Sequence, residues 1–172
     1  MKLRPSILRT HGAPSRLLAI GVTAAALTAC GGGDDRSTTP VKAVMACGDL
    51  AGQILGNVQV TAAAPVAAAG SVPAYCKVTG TEIGTQHDIE VRLPETWTQR
   101  FVQQGGGGFD GRIPAVGATN VALAEGAVLT ANNGGHRDPT GNVLLNNEPV
   151  TRQYAHTAIL TATKFGKAIA AR

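Results

Sequence analysis

The stretch IEVRLPETWTQRFVQQGGGGFDG, residues 89–111, decides the fold because it joins two strand-like runs to four consecutive glycines. Ile89, Val91 and Leu93 alternate with polar residues, and this period of two predicts a strand with one buried face. Pro94 ends that strand, since proline lacks the N–H group that the interior of a sheet requires. A second short strand is predicted over residues 100–103, and it runs directly into the glycines.

Adjacent glycines expose backbone N–H groups that no Cβ shields, so a loop of four can bind an anion. Three interpretations stay open on the residues alone. Phosphate binding is weakly supported, because GGGGFDG lacks the lysine and Ser/Thr of a P-loop and meets the G-x-G-x-x-G spacing only through its density of glycine. The second interpretation is a flexible turn without chemistry. The third is an oxyanion loop, which stabilises the charge that develops on a tetrahedral intermediate of acyl transfer.

The surrounding segments predict an α/β protein with a partly parallel sheet. We expect a helix over residues 116–125, a short buried strand over 127–131 and an amphipathic helix over 151–171. TAAAPVAAAG, residues 61–70, is low in complexity and is predicted to be a surface excursion. Gly166 should cost the last helix about 1 kcal/mol. The apolar stripe of that helix consists of Tyr154, Ala158, Ala162, Phe165 and Ile169.

The first 29 residues have the layout of a secretory signal. Four basic residues precede an apolar run of 13 residues at positions 17–29, which is too short to span a bilayer as a stable helix. LTAC, residues 27–30, resembles the lipobox of bacterial lipoproteins, in which cleavage precedes a cysteine that is then lipidated. The basic residues are Lys2, Arg4, Arg9 and Arg16.

This resemblance implies a signal peptide at residues 1–29, a lipid on Cys30 and an exported chain anchored to a membrane. Ordinary signal cleavage with Cys30 incidental is the alternative, but Leu27 is large where cleavage by that route favours a small residue. Gly31, rather than aspartate, follows the cysteine, and this pattern in lipoproteins implies a periplasmic location at the outer membrane. Residues 30–40 are rich in Gly, Asp, Ser and Thr, so we expect a flexible tether.

The net charge of +4 is confined to the leader. Removing its four basic residues from a total of 15 leaves 11 Lys and Arg against 11 Asp and Glu. A neutral chain offers no basic patch, so we expect no nucleic-acid partner.

Three cysteines are present, and lipidation of Cys30 would leave Cys47 and Cys76 as the remaining pair. Export places them in an oxidising compartment, so we predict a disulfide between them. Closing a loop of about 30 residues should stabilise the fold by about 3 to 4 kcal/mol in the chain-entropy model. A redox or metal pair would need closer spacing or more ligands than the chain offers.

The order of motifs resembles the N-terminal part of the tannase and feruloyl esterase family. The motifs are Cys47, AYCKVTG at residues 74–80, the opening stretch with its LP..W..RF approach to the glycines, and TANNGGH at residues 130–136. The resemblance implies that residues 41–172 form the N-terminal part of an α/β-hydrolase-type fold with an incomplete sheet. It also implies a disulfide between Cys47 and Cys76.

Members of that family are serine hydrolases of aromatic carboxylic esters, so the resemblance implies a small-molecule aromatic ester as substrate. The backbone N–H of Gly108 would be an oxyanion-hole donor. Asn133 lies where the family commonly has an aspartate before Gly-Gly-His, which leaves a structural role open at that position and counts against a role that needs a charge.

The catalytic residues are expected to lie beyond Arg172, so the chain alone should be inactive. Neither Ser37, in the tether, nor Ser71, in the low-complexity stretch, has the strand-turn-helix context of a nucleophile elbow. His87, His136 and His156 are predicted to be structural or solvated. Their spacing matches no metal motif, and we expect neither a metal nor a cofactor. A non-catalytic lipoprotein module that binds a partner or has a structural role is the alternative function.

Overall fold

The structure, a computed structural model, describes residues 39–117 and 121–172. The predicted signal peptide, Cys30 and residues 30–38 of the predicted tether lie outside the described residues. The strands are β1 (Ile54–Leu55), β2 (Val58–Val66), β3 (Tyr75–Glu82), β4 (Asp88–Pro94), β5 (Phe101–Gln103) and β6 (Val128–Asn132). The α-helices are α1 (Val121–Ala124), α2 (Glu148–Arg152) and α3 (Ala158–Ala170).

The six strands form one mixed sheet in the order β1-β2-β3-β4-β6-β5. The pairs β1-β2, β2-β3, β3-β4 and β4-β6 are antiparallel, whereas β5 pairs with β6 in parallel. The fold is therefore α/β with a partly parallel sheet, as predicted. Because β5 and β6 are parallel, their C-terminal ends lie side by side. In α/β proteins, ligands commonly bind beyond such strand ends.

The prediction of a surface excursion at residues 61–70 was wrong over its first half. Residues 61–66 belong to β2, which pairs along its length with β3. Their small, mostly exposed side chains carry no alternation of apolar and polar residues, so the sequence does not mark a strand there. The backbone hydrogen bonds to β3 stabilise it instead, and the register shifts between Val60 and Ala62.

Both faces of the sheet centre are covered. Ile89 and Val91 of β4 are buried as predicted, but Arg92, which was expected on a solvent face, is only 1% exposed. Its Nε donates to Glu90 (2.6 Å) and its Nη2 to the carbonyl of Pro114 (2.6 Å), so the segment after the glycines covers this face. β6 is also buried along its whole length, because both of its faces are covered.

The terminal helix covers the other face through the predicted stripe. Ala158, Ala162, Phe165 and Ile169 are all buried, and the last three belong to the main core cluster. Phe165 reaches β3 because Gly80 has no side chain there: a Cβ on Gly80 would lie 2.9 Å from the Phe165 ring.

The helix itself differs from the prediction of one continuous element over 151–171. α2 ends at Arg152, a π-helical turn follows over Gln153–Thr157, and α3 then runs to Ala170. Of the helix predicted over 116–125, the described residues contain α1 at Val121–Ala124, and residues 116–117 are not helical. Among the described residues, no helix is both long and apolar enough to cross a membrane.

β6, the short buried strand predicted over residues 127–131, is an interior strand of the sheet. It pairs with β4 through Leu129 and with β5 through the same residue, so the open edge belongs to β5. The chain order did not show this, because β5 precedes β6 in sequence and yet lies outside it in the sheet.

Candidate functional site

The glycine-rich loop follows the C-terminal end of β5, which lies beside the C-terminal end of the parallel strand β6. The N–H of Gln104 still donates to the carbonyl of Thr130 (2.7 Å), so pairing continues to the residue before the glycines. Residues 105–109 are exposed. Among the hydrogen bonds of residues 39–117 and 121–172, no acceptor receives an N–H of residues 105–109. Within the described residues, the loop therefore presents backbone donors that a ligand could use.

Gly108 occupies a backbone position that favours glycine. It has φ +61° and is the first central residue of a turn that the N–H of Asp110 closes by donating to the carbonyl of Gly107 (3.2 Å). The hydroxyl of Tyr154 donates to the Gly108 carbonyl (2.9 Å). Because a peptide group is planar, this bond also restricts the N–H of Phe109, which points in the opposite direction to the carbonyl.

Asp110 packs against two of the glycines. A Cβ on Gly106 would collide with its carboxylate, and a Cβ on Gly134 would lie 2.9 Å from its Oδ2. Burial raises the pKa of Asp110, and the nearby His136 acts in the opposite direction. Asp110 also has φ +43°, an uncommon value for a residue with a side chain. No sequence pattern singled out Asp110, although its place between Gly108 and Gly111 was a signal.

The turn after β6 is built from two asparagines. The N–H of Gly134 donates to Asn132 Oδ1 (2.8 Å), and Asn133 Oδ1 accepts the N–H groups of Asp88 (3.0 Å) and Gly135 (3.1 Å). Asn133 Nδ2 donates to the carbonyl of Gln86 (2.8 Å). A neutral amide satisfies both donors and acceptors here, which is the structural role expected of Asn133.

His136 follows this turn and lies between the two loops. It is 1% exposed, its Nδ1 accepts the N–H of Asp138 (3.3 Å), and its ring centroid lies 5.8 Å from that of Tyr154. Tyr154 thus contacts both the turn after β6 and the glycine-rich loop. In the sequence it appeared only as one member of the apolar stripe.

His87, His156 and Ser71, for which no catalytic role was predicted, lie apart from this cluster or have structural partners. His87 is buried, and its Nδ1 lies 2.8 Å from Glu82 Oε2. His156 is exposed on the π-helical turn. Ser71 lies in the connection between β2 and β3, which is not a strand-to-helix turn. Within the described residues, no group of three or more His, Cys, Asp or Glu side chains is arranged to hold a metal ion.

The structure contains the predicted disulfide. Cys47 and Cys76 are bonded, with their Cα atoms 5.7 Å apart and a sequence separation of 29 residues. Cys76 lies in β3 and Cys47 begins a short 3-10 helix, so the bond ties the start of the domain to the sheet.

Two solved structures of fungal esterases superpose on this chain. The crystal structure of an esterase from Aspergillus oryzae superposes with a TM-score of 0.60 at 22% identity, over 71% of this chain and 28% of that chain. Feruloyl esterase B from Aspergillus oryzae superposes with a TM-score of 0.57 at 23% identity, over 68% and 26% of the two chains. The fold is thus the N-terminal part of an α/β-hydrolase-type fold, as predicted.

The sequence comparisons define the family. Residues 76–172 match the family described as tannase and feruloyl esterase. Feruloyl esterase B of Aspergillus niger is 31% identical over 120 residues, which is 68% of this chain and 23% of that protein. Probable feruloyl esterase B-1 of Neosartorya fischeri is 34% identical over 98 residues, 55% of this chain and 18% of that protein. The chain belongs to the tannase and feruloyl esterase family, and it spans about a fifth of the length of these relatives.

Proposed function

We propose that the chain supplies the oxyanion-binding part of a serine carboxylic ester hydrolase that acts on aromatic esters. The observation that carries the proposal is the exposed loop of residues 105–109, whose N–H groups have no acceptor among the described residues, in a member of this family. In acyl transfer, a serine oxygen attacks the ester carbonyl carbon and negative charge develops on the carbonyl oxygen. The N–H of Gly108 donates a hydrogen bond to that oxygen.

Tyr154 has a supporting role in this proposal. Its hydroxyl bond to the Gly108 carbonyl (2.9 Å) and its contact with His136 hold the turn in one orientation before substrate binds. Preorganised donors stabilise a developing charge without the cost of reorienting during the reaction.

We expect none of the described residues to act as the nucleophile, acid or base of the proposed reaction, so we expect the chain alone to be inactive. Ser71 lies in a β2–β3 connection, and His87 and His136 are buried with other partners. Hydrolysis of methyl ferulate above the rate of buffer by the purified chain would contradict this expectation.

The role of Gly108 can be tested in a chimera in which residues 76–172 replace the matching segment of Aspergillus niger feruloyl esterase B. Gly108→Pro removes the N–H, whereas Gly108→Ala keeps it and also meets the unfavourable φ of +61°. We expect kcat to fall about 10²- to 10³-fold in the proline variant and less than about tenfold in the alanine variant. Equal losses in two folded variants, verified by circular dichroism, would contradict the role of the N–H.

We further propose export and lipid anchoring at the outer membrane through Cys30, by the resemblance of residues 27–30 to a lipobox. Cys30→Ala should move the protein from the membrane fraction to the soluble periplasmic fraction. Ser37→Ala, in the predicted tether, is the matched control and should leave the protein with the membranes.

DNA downstream of the Arg172 codon distinguishes the ester hydrolase from the alternative, a non-catalytic lipoprotein module. A strand followed by Gly-x-Ser-x-Gly in any reading frame would support the hydrolase. A downstream region without this motif would support the module.

A further inference from the structure

Asn133 is the only asparagine in the chain that is followed by glycine. This pair is chemically labile, because glycine has no side chain to shield its nitrogen from the amide carbon of the preceding residue. The nitrogen of Gly134 bonds to Asn133 Cγ, the bond from Cγ to Nδ2 breaks, and ammonia leaves with the proton that Gly134 loses. Water then opens the cyclic imide and leaves aspartate or isoaspartate at residue 133.

The fold holds the amide group of Asn133 in place. Its Oδ1 accepts the N–H groups of Asp88 (3.0 Å) and Gly135 (3.1 Å), and its Nδ2 donates to the carbonyl of Gln86 (2.8 Å). Ring closure draws Cγ onto the Gly134 nitrogen and expels Nδ2, so it breaks these bonds. Asn133 is 2% exposed, and buried polar groups that lose their partners are costly.

The attacking nitrogen is held as well. The N–H of Gly134 donates to Asn132 Oδ1 (2.8 Å), and Asn132 is 1% exposed. The nitrogen attacks only after it loses its proton, and here the proton is both bonded and buried. Residues 126–136 are all buried, so hydroxide and water reach this turn only when it opens.

The same turn anchors the glycine-rich loop. The N–H of Gly111 donates to the main-chain carbonyl of Asn133 (2.9 Å), and Asp110 packs against Gly134. In isoaspartate, the chain continues through the former side chain, and the main-chain carbonyl becomes a free carboxylate. The product therefore changes the group that holds Gly111 and adds a negative charge near Asp110.

We propose that Asn133 is a latent deamidation site that the native turn keeps unreactive, and that its modification in opened chains alters the anchor of the glycine-rich loop. The co-reactant is water, since one water enters and one ammonia leaves. Such a reaction makes unfolding irreversible, because the modified chain no longer has the residue that builds the turn. The site stands on the hydrogen bonds of the turn, so it does not require that the chain hydrolyse esters.

Peptide mapping of the full chain by mass spectrometry tests the proposal. The chain is kept at mildly alkaline pH in buffer and in guanidinium chloride, with the disulfide intact in both. We expect aspartate and isoaspartate at residue 133 in the denaturant, and modification at least about tenfold slower in buffer, because a buried turn is seldom open. Equal rates in the two solutions would overturn the protection by the fold, and an unmodified residue 133 in the denaturant would overturn the site.

Two variants identify the groups involved. Asn133→Gln should abolish the modification in guanidinium chloride, where folding has no influence, because glutamine has to close a larger ring. Asn132→Ala removes the acceptor of the Gly134 N–H, and it should raise the rate in buffer about threefold to tenfold without changing the rate in denaturant. Asn142→Ala, an exposed change, is the control. Equal rates in buffer for Asn132→Ala and Asn142→Ala, both with native circular dichroism, would overturn the role of this bond; the comparison on the natural chain stands even if Asn132→Ala fails to fold.

The effect on the loop is measured in ¹⁵N spectra after the modified chain returns to buffer. We expect the signals of Gly108 and Gly111 to differ from those of a chain that spent only a short time in denaturant. Identical signals for both glycines in the two samples would overturn the link between Asn133 and the loop.

Discussion

Gly166 lies in the middle of α3 and faces the sheet. A Cβ at this position would collide with Thr130 Oγ1 and would lie 2.9 Å from the ring of Phe101. The helix propensity of alanine would add about 1 kcal/mol of stability, but overpacking a filled core costs about 1 to 3 kcal/mol. We therefore expect Gly166→Ala to lower the free energy of unfolding by about 1 kcal/mol in urea titration.

Gly48→Ala is the matched control, because no heavy atom lies within 4 Å of the added Cβ and φ is not positive there. It should change the free energy of unfolding by less than about 0.5 kcal/mol. A Gly166→Ala variant more stable than the natural protein would show that helix propensity, and not contact with the sheet, decides this position.

Arg137 and Asp88 join the turn after β6 to β4 through two hydrogen bonds of 2.7 Å. The Arg137 guanidinium lowers the pKa of Asp88, while burial acts in the opposite direction. Because the pKa is lowered in the folded state, this stabilisation is present above the ordinary carboxyl pKa of about 3.9 and is lost as pH falls through the folded value. Arg137→Gln should cost about 0.5 to 1 kcal/mol at pH 7 and almost nothing near pH 2.

The comparison is made by urea unfolding at several pH values, with Arg152→Gln as control. The ion pair of Arg152 with Glu148 is exposed on both sides, so its removal should cost less than that of Arg137 at neutral pH. A cost of Arg137→Gln that does not depend on pH would exclude Asp88 as its partner.

At the scale of elements, the disulfide stabilises the sheet next to β2, a strand whose own residues carry little strand pattern. The side chains of residues 61–66 are mostly small and exposed, and the bonded Cys76 lies in the adjacent strand β3 opposite Pro65. Loss of the bond should destabilise the chain by about 3 to 4 kcal/mol. Urea titrations of the Cys47→Ser/Cys76→Ser variant would measure the loss, and an unchanged midpoint would contradict the prediction.

Only part of each element could be derived from its own residues. Alternation identified β4, and the stripe identified the buried face of α3, because both patterns arise where one face meets a core. β2 lacked such a signal, since backbone pairing with β3 decides it. The π-helical turn lacked one as well. In β2, tertiary pairing thus overrode local propensity.

At the scale of the whole molecule, β5 forms an open edge of the sheet. It is three residues long, and Val102 in it is 37% exposed. Open edges favour pairing between chains, and a lysine on the edge opposes it. Val102→Lys should therefore reduce self-association at high concentration, measured by light scattering, whereas Val121→Lys, an exposed change on α1, should not.

The sequence by itself determined the α/β class, the two strands that precede the glycines, the buried stripe of α3 and the family. These features depend on periodicity and on motifs that are contiguous in the chain. The tertiary structure alone decided that β6 lies between β4 and β5, and that Asp110, His136 and Tyr154 meet around the glycine-rich loop. Residues so distant in sequence share a site because strand order and helix packing bring them together, and no local pattern encodes that arrangement.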